Sequence, residues 1–352
     1  MPGRMSWFPR RMPWSVVAAL TAWILCDPAP PAAAQGTLTV YCSVQLEWCQ
    51  TSANEFTRQS GIKVSITQKG SGEVFAQIKA EAANPKADVW FGGTGDPHLQ
   101  AAEEGLTIAY RSINLGQLHP WAVRQAEQSG YRTVGIYMGA LGFSFNNELL
   151  KKKGVAAPRC WADLLQPAFK GEIQMANPAS SGTAYTALAT VVQVMGEAKG
   201  FEYLKRLHAS INQYTKSGTA PVKAVARGET LVGISFVHDV VTEALAGFPV
   251  GSVTPCEGTG YEIGSMSIVN GARNLDGARR FADWALTAPA QALAARSKQF
   301  QVPSNRSAEI PREAPKLSEM KLIDYDFKKY GSSAERRRLL DKWDKEVNAL
   351  PR

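Results

Sequence analysis

The sequence predicts an α/β protein of two lobes, each a mainly parallel sheet flanked by helices, joined by two hinge crossings. Three observations predict it. Short β-rich runs alternate with helical patterns over residues 37–105 and again over 172–255. Two extended segments, 138–150 and 260–271, break that alternation between the halves. The turns after the β-rich runs are filled with glycine and hydroxyl residues. Alternation of this kind gives a sheet covered on both faces, because each crossover between parallel strands carries a helix. The expected lobes are residues 36–141 with 266–352, and residues 142–265 between them.

Residues 37–42 (TLTVYC) form the first expected strand. After it Leu46, Cys49, Ala53 and Phe56 recur at helical spacing until Gly61 stops the pattern. Residues 62–68 (IKVSITQ) read as a second strand, and Val74, Ile78 and Ala82 mark the helix that follows and ends at Pro85. Residues 87–93 (ADVWFGG) are a third strand, with Pro97 in the first turn of its helix. The second half repeats the theme: strands at 172–177, 211–215, 231–237 and 250–255, with helices opening near 181, 220 and 238. The charged C-terminal run 334–350 places Leu339, Leu340, Trp343 and Val347 on one helical face, which reads as docked core.

Composition narrows the class. The chain has 352 residues, 45% hydrophobic and 20% charged, which excludes a disordered or collagen-like protein. The formal charge is +8, and no arginine-rich stripe accompanies it, so nucleic acid is not an expected partner. Residues 1–34 combine a basic start (Arg4, Arg10, Arg11), an apolar run of about a dozen residues and Ala32-Ala33-Ala34, the pattern of a secretory signal cleaved before Gln35. The apolar run is short for a membrane span, and the bulky Leu25 before Cys26 makes a poor lipid-attachment site. The expected product is soluble, exported and monomeric. Export into an oxidising compartment gives the remaining cysteines a role. Cys42, Cys49, Cys160 and Cys256 form an even set, consistent with two disulfides. Cys42 with Cys49 and Cys160 with Cys256 is the expected pairing of the three possible, which the sequence alone does not separate.

The turns carry the functional signal. Ser43, Gly70-Ser71-Gly72, Gly92-Gly93-Thr94, Ser181-Gly182-Thr183, Ser217-Gly218-Thr219 and His238-Asp239 each follow an expected strand. Ligands of open parallel sheets bind outside the carboxyl ends of the strands. Small residues there leave helix N–H groups open to an anion. Any one such turn is explained by capping alone; six in two lobes are better explained by a shared polar cleft. His238 is the only histidine at such a junction, and Glu262, at the second crossing, is expected to face the same cleft. His98, His119 and His208 read as structural, and Asp96 as a cap, with Thr94 the nearer contact. No metal site and no cofactor are expected. The chain contains none of G-x-x-x-x-G-K-[ST], H-E-x-x-H or G-x-S-x-G. A periplasmic phosphatase assembled from scattered Asp and His is therefore the weaker reading, and binding without chemistry the more economical one.

The runs KGSGEVFAQIKAEAANP (69–85), ADVWFGGTGDPHLQAAEEGL (87–106), ANPASSGTAYTAL (176–188), GTAPVKAVARGE (218–229) and CEGTGYEIGSMSIVNGARN (256–274) resemble the periplasmic solute-binding proteins of ABC importers. The resemblance covers nearly all of the chain beyond residue 34. Its cluster handles ferric iron, phosphonates and sugar phosphates. It implies a type II-like pair of lobes trapping a small anionic ligand, with an inner-membrane ABC permease as partner. Iron binders of the cluster use a tandem tyrosine pair, and this chain has no Tyr-Tyr. The sugar-phosphate binders use a His-Asp pair and a later Glu for sugar hydroxyls, which His238, Asp239 and Glu262 resemble. They hold phosphate on hydroxyls and helix-start amides, which Ser71, Gly72, Ser181, Gly182 and Thr183 resemble. The expected ligand is therefore a hexose phosphate, with phosphonates or iron as alternatives.

Overall fold

The structure is a computed structural model, and it describes residues 1–5, 7–8 and 36–351. The chain divides into two compact units, Met1–Ala34 and Gln35–Arg352. The expected cleavage point between Ala34 and Gln35, and Cys26, lie outside the described residues. Among the described residues no helix is long and apolar enough to cross a membrane.

The second unit alternates as expected. It runs β1 (Leu38–Cys42), α1 (Leu46–Ser60), β2 (Val64–Gln68), α2 (Ser71–Ala80), β3 (Val89–Phe91) and α3 (Gly95–Glu103), then α4 (Pro120–Gln128) and β4 (Val134–Asn146). There follow α5 (Asn147–Lys153), β5 (Ile173–Ala176), α6 (Gly182–Met195), α7 (Glu197–His208), β6 (Ile211–Thr215), α8 (Ala220–Ala226), β7 (Val232–Phe236), α9 (Val237–Leu245) and β8 (Val250–Val253). The chain closes with β9 (Tyr261–Ile268), α10 (Leu275–Ala285), β10 (Val302–Pro303) and a last helix at Ser333–Trp343.

The strand order is β2-β1-β3-β9-β4-β7-β5-β6, with β8 and β10 also on β4. One group of three strands is parallel around β1, and another around β5. The crossing strands are antiparallel: β9 pairs with β3 and β4, and β4 with β7 and β8. β4 is the seam. Its residues 134–140 pair with β9, and 141–145 pair with β7. One thirteen-residue strand thus serves both sheets, changing partner between Ala140 and Leu141.

Helix faces follow the sequence pattern with two exceptions. In α1, Trp48, Cys49, Ala53 and Phe56 are buried, but Leu46 is 45% exposed because it opens the helix ahead of the packed turn. α2 stops at Ala80, so Ala82 stands in the exposed turn beyond it. Both expected disulfides are present, Cys42–Cys49 and Cys160–Cys256. The C-terminal run is helical to Trp343 and continues as a π-helical turn over Asp344–Asn348. Leu339, Trp343 and Val347 are buried in one cluster with Phe143, Trp161, Ile173 and Leu188, while Val40, Phe91, Ile136 and Phe281 belong to another.

Candidate functional site

The carboxyl ends of β1, β3, β5, β6 and β7 point their turns at one cavity, of about 540 Å³ of space free of protein atoms including its mouth. Of the eleven residues expected at a binding site, all but Gly72 line it. Gly72 sits just behind, where its N–H donates to the Ser180 carbonyl at 3.1 Å. It serves close approach rather than ligand contact: a Cβ there would come within 2.2 Å of the Ala179 oxygen. The same constraint holds at Gly182, where a Cβ would meet Thr94 Oγ1 at 1.8 Å. Gly93, at φ 84°, makes the turn that aims Thr94 inward.

The cavity has two chemically distinct ends. At one, helices α2 and α6 begin, with Ser71 in the first turn of α2 and Ser181 the N-cap of α6. Ser71 Oγ accepts the Thr94 N–H at 3.2 Å, and Ser181 Oγ accepts the Ala184 N–H at 3.4 Å. The lysine among the lining residues, Lys69, is turned aside onto Gln77 Oε1 at 2.5 Å. Hydroxyls and helix-start amides therefore dominate this end, a setting suited to an anion.

At the other end sit His238, Asp239 and Glu262, each 5% exposed or less. His238 Nε2 lies 3.7 Å from Asp239 Oδ1 and 3.8 Å from Glu262 Oε1. The ring stacks on Phe236 and fills the space over Gly139, where a Cβ would come within 2.4 Å of Nδ1. Burial governs the charge state of all three. It pushes His238 down to about 3 and Asp239 up to about 7. Burial and the neighbouring Asp239 and Asp96 carboxyls push Glu262 well above the usual range. Burial therefore favours the neutral forms, with imidazole and carboxyl groups placed to exchange hydrogen bonds with hydroxyls.

Asp239 is also held from both sides. Gln45 Nε2 donates to Oδ1 at 2.6 Å, and Ser235 Oγ donates to Oδ2 at 3.3 Å. Gln45, Gln68, Tyr137 and Gln301 line the cavity and were not anticipated from the sequence. Tyr137 has its hydroxyl on the Gly93 N–H at 3.1 Å, and burial with the nearby Glu262 keeps that phenol protonated. Two other tyrosines turn elsewhere: Tyr185 donates to the Tyr330 carbonyl, and Tyr214 meets His208 Nδ1. Asp96, expected to cap its helix, stands instead in the first turn of α3 behind the N-cap Thr94, fully buried beside the Tyr325 hydroxyl, 3.4 Å away.

Among the described residues, four buried polar atoms of the lining have no hydrogen-bond partner: Gln45 Oε1, Thr94 Oγ1, His238 Nδ1 and Gln301 Oε1. Buried polar groups are ordinarily satisfied. Four orphans around one cavity mark a place built to be completed by a polar ligand.

Comparison with known proteins agrees with that geometry. The family of bacterial extracellular solute-binding proteins matches residues 84–329. An uncharacterized protein of Haemophilus influenzae is 47% identical over 316 residues, 89% of this chain and 91% of its own. Among solved structures, the periplasmic binding protein AfuA from Actinobacillus pleuropneumoniae, determined with exogenous fructose-6-phosphate bound, is 49% identical with a TM-score of 0.87. That likeness spans 90% of this chain and 100% of AfuA. The periplasmic binding protein P5PA is 45% identical with a TM-score of 0.86, over 89% of this chain and 99% of its own. The fold, the cleft between sheets and these relatives together make the chain a member of the bacterial extracellular solute-binding protein family, a two-lobed α/β binding protein of the ABC-importer type.

Proposed function

We propose that the protein captures a sugar phosphate in the periplasm, in the cleft between its lobes, and delivers it unchanged to an inner-membrane ABC permease. The carrying observation is the division of the cavity. Helix-start amides and hydroxyls lie at one end, and a neutral His-Asp-Glu trio at the other. A phosphate fits the first, where N–H and O–H groups donate, while polyol hydroxyls fit the second, whose imidazole and carboxyl groups exchange hydrogen bonds with them. Ser43, Ser71, Thr94, Ser181, Gly182, Thr183 and Ser217 form the phosphate end of this reading; His238, Asp239 and Glu262 read the hydroxyls. Gly72 allows the close approach of the two sides. AfuA, solved with fructose-6-phosphate, supports the same ligand class. The lobes of this reading meet in β4, with 36–141 and 266–352 on one side and 142–265 on the other. The C-terminal helix of the first lobe lies against the second lobe's core.

Native mass spectrometry of the protein mixed with fructose 6-phosphate tests the reading. The expected spectrum carries the mass of one intact ester per chain. Steady release of inorganic phosphate from the ester, or a red ferric-tyrosinate band with Fe(III) and no ester adduct, would overturn it.

A further inference from the structure

Beside the main cavity lies a second chamber, of about 660 Å³ of atom-free space including its mouth. The two share Gln45, Thr219 and Asp239 as a common wall. That wall is thin. Across it the Gln45 amide donates to Asp239 at 2.6 Å, and both groups are side-chain ends that rotate without moving the backbone.

The far wall is the turn Ser297-Lys298-Gln299. Lys298 holds φ 56°, a left-handed conformation uncommon outside glycine, and its carbonyl is fixed by Thr242 Oγ1 at 2.7 Å. Strained turns of this kind persist where the surrounding structure fixes them, and they cluster at ligand sites. Gln299 is 4% exposed, yet its Oε1 has no partner, and neither has the buried Ser297 Oγ. Lys223, Lys298, Glu47 and Glu243 also line the chamber, and Lys223 and Glu243 act on the Asp239 of the shared wall through space.

The charge pattern selects the occupant. Two ammonium groups, Lys223 and Lys298, face two carboxylates, Glu47 and Glu243, beside the buried Asp239, so the walls carry no net positive charge to hold a second phosphate. Donors and acceptors in near-equal number suit neutral hydroxyls. We propose that this chamber is a subsite for a second, uncharged sugar ring, so that the protein also takes phosphorylated disaccharides. The proposal rests on the sugar-phosphate reading of the main cavity. With phosphate at the helix starts, the hydroxyl end of the first ring meets Asp239, and a ring attached there continues past Gln45 into the chamber.

Calorimetry with glucose 6-phosphate and trehalose 6-phosphate on the wild type, Gln299→Leu and Lys298→Gly tests it. Lys298→Gly keeps the left-handed turn comfortable and so serves if Gln299→Leu folds poorly. The wild type is expected to bind the disaccharide ester within about tenfold of the hexose ester. Each variant is expected to weaken the disaccharide ester by about three- to tenfold and leave glucose 6-phosphate unchanged. Glucose 6-phosphate bound but trehalose 6-phosphate excluded would overturn the subsite alone, as would equal losses for both esters. Failure of both esters on the wild type would overturn the sugar-phosphate reading, and the subsite with it.

Discussion

Asp239 is a carboxyl that the fold prefers protonated, and that preference has a sign. Its folded pKa is near 7, against about 3.9 in the unfolded chain. Between those values the folded protein keeps a proton the unfolded chain gives up, so ligand-free stability falls as pH rises through that window and is level above it. His238 works oppositely: its folded pKa is near 3, so its contribution rises with pH until about 6.5. Asp239→Asn removes only the falling part. Melting of the ligand-free proteins should therefore show the variant gaining on the wild type from about pH 4 to pH 7; parallel curves would contradict the assignment. Thr94 makes a second case. Its buried Oγ1 has no partner, so Thr94→Val removes a desolvated hydroxyl and should leave ligand-free melting unchanged or raised. It should also weaken fructose 6-phosphate by about tenfold in calorimetry. A destabilised variant with unchanged affinity would place Thr94 in the scaffold instead. Glycine and hydroxyl residues were legible as site residues because few other roles concentrate them after parallel strands. Gln45 and Gln301 were not, since glutamine carries no turn or charge signature. Gln301 reaches the cavity only because β10 pairs with Tyr137 and Met138 on β4, far away in sequence.

At the scale of elements, the starts of α2 and α6 come together through glycine. A methyl group at Gly72 meets backbone, not a movable side-chain end. Gly72→Ala should hold the two sides apart, lowering fructose 6-phosphate affinity at least about tenfold with little change in melting temperature; undiminished affinity would show that the contact is incidental. The disulfides differ in reach. Cys160–Cys256 spans 96 residues and Cys42–Cys49 only 7, so in the chain-entropy account the long closure restrains the unfolded chain more, by about 2 kcal/mol. Denaturant melts of Cys160→Ser with Cys256→Ser, set against Cys42→Ser with Cys49→Ser, should show the larger loss in the first pair. The reverse order would mean that the short loop is held by native packing rather than by entropy. The alternation of strand and helix was readable because each period shows in a few residues. The dual role of β4 was not: its 13 residues look alike along their length, and only pairing divides them at Ala140 and Leu141.

For the whole molecule, the parallel strands put their helix starts on facing sides of one cleft, while β4 and β9 run between the sheets. A ligand that touches both sides would favour a closed arrangement only by binding it more tightly than an open one. The destination of the C-terminal helix could not be read from its stripe of Leu339, Trp343 and Val347. The stripe shows that the helix docks, but either core would accept it. The central claim is that one ligand is read by two chemically different ends of the cleft. Calorimetry with glucose 6-phosphate, glucose and inorganic phosphate on the same preparation addresses it directly. The ester should bind at least about a hundredfold more tightly than either fragment, because each fragment leaves half of the buried polar groups unpaired. Phosphate alone binding as tightly as the ester, or no heat from the ester at all, would contradict it.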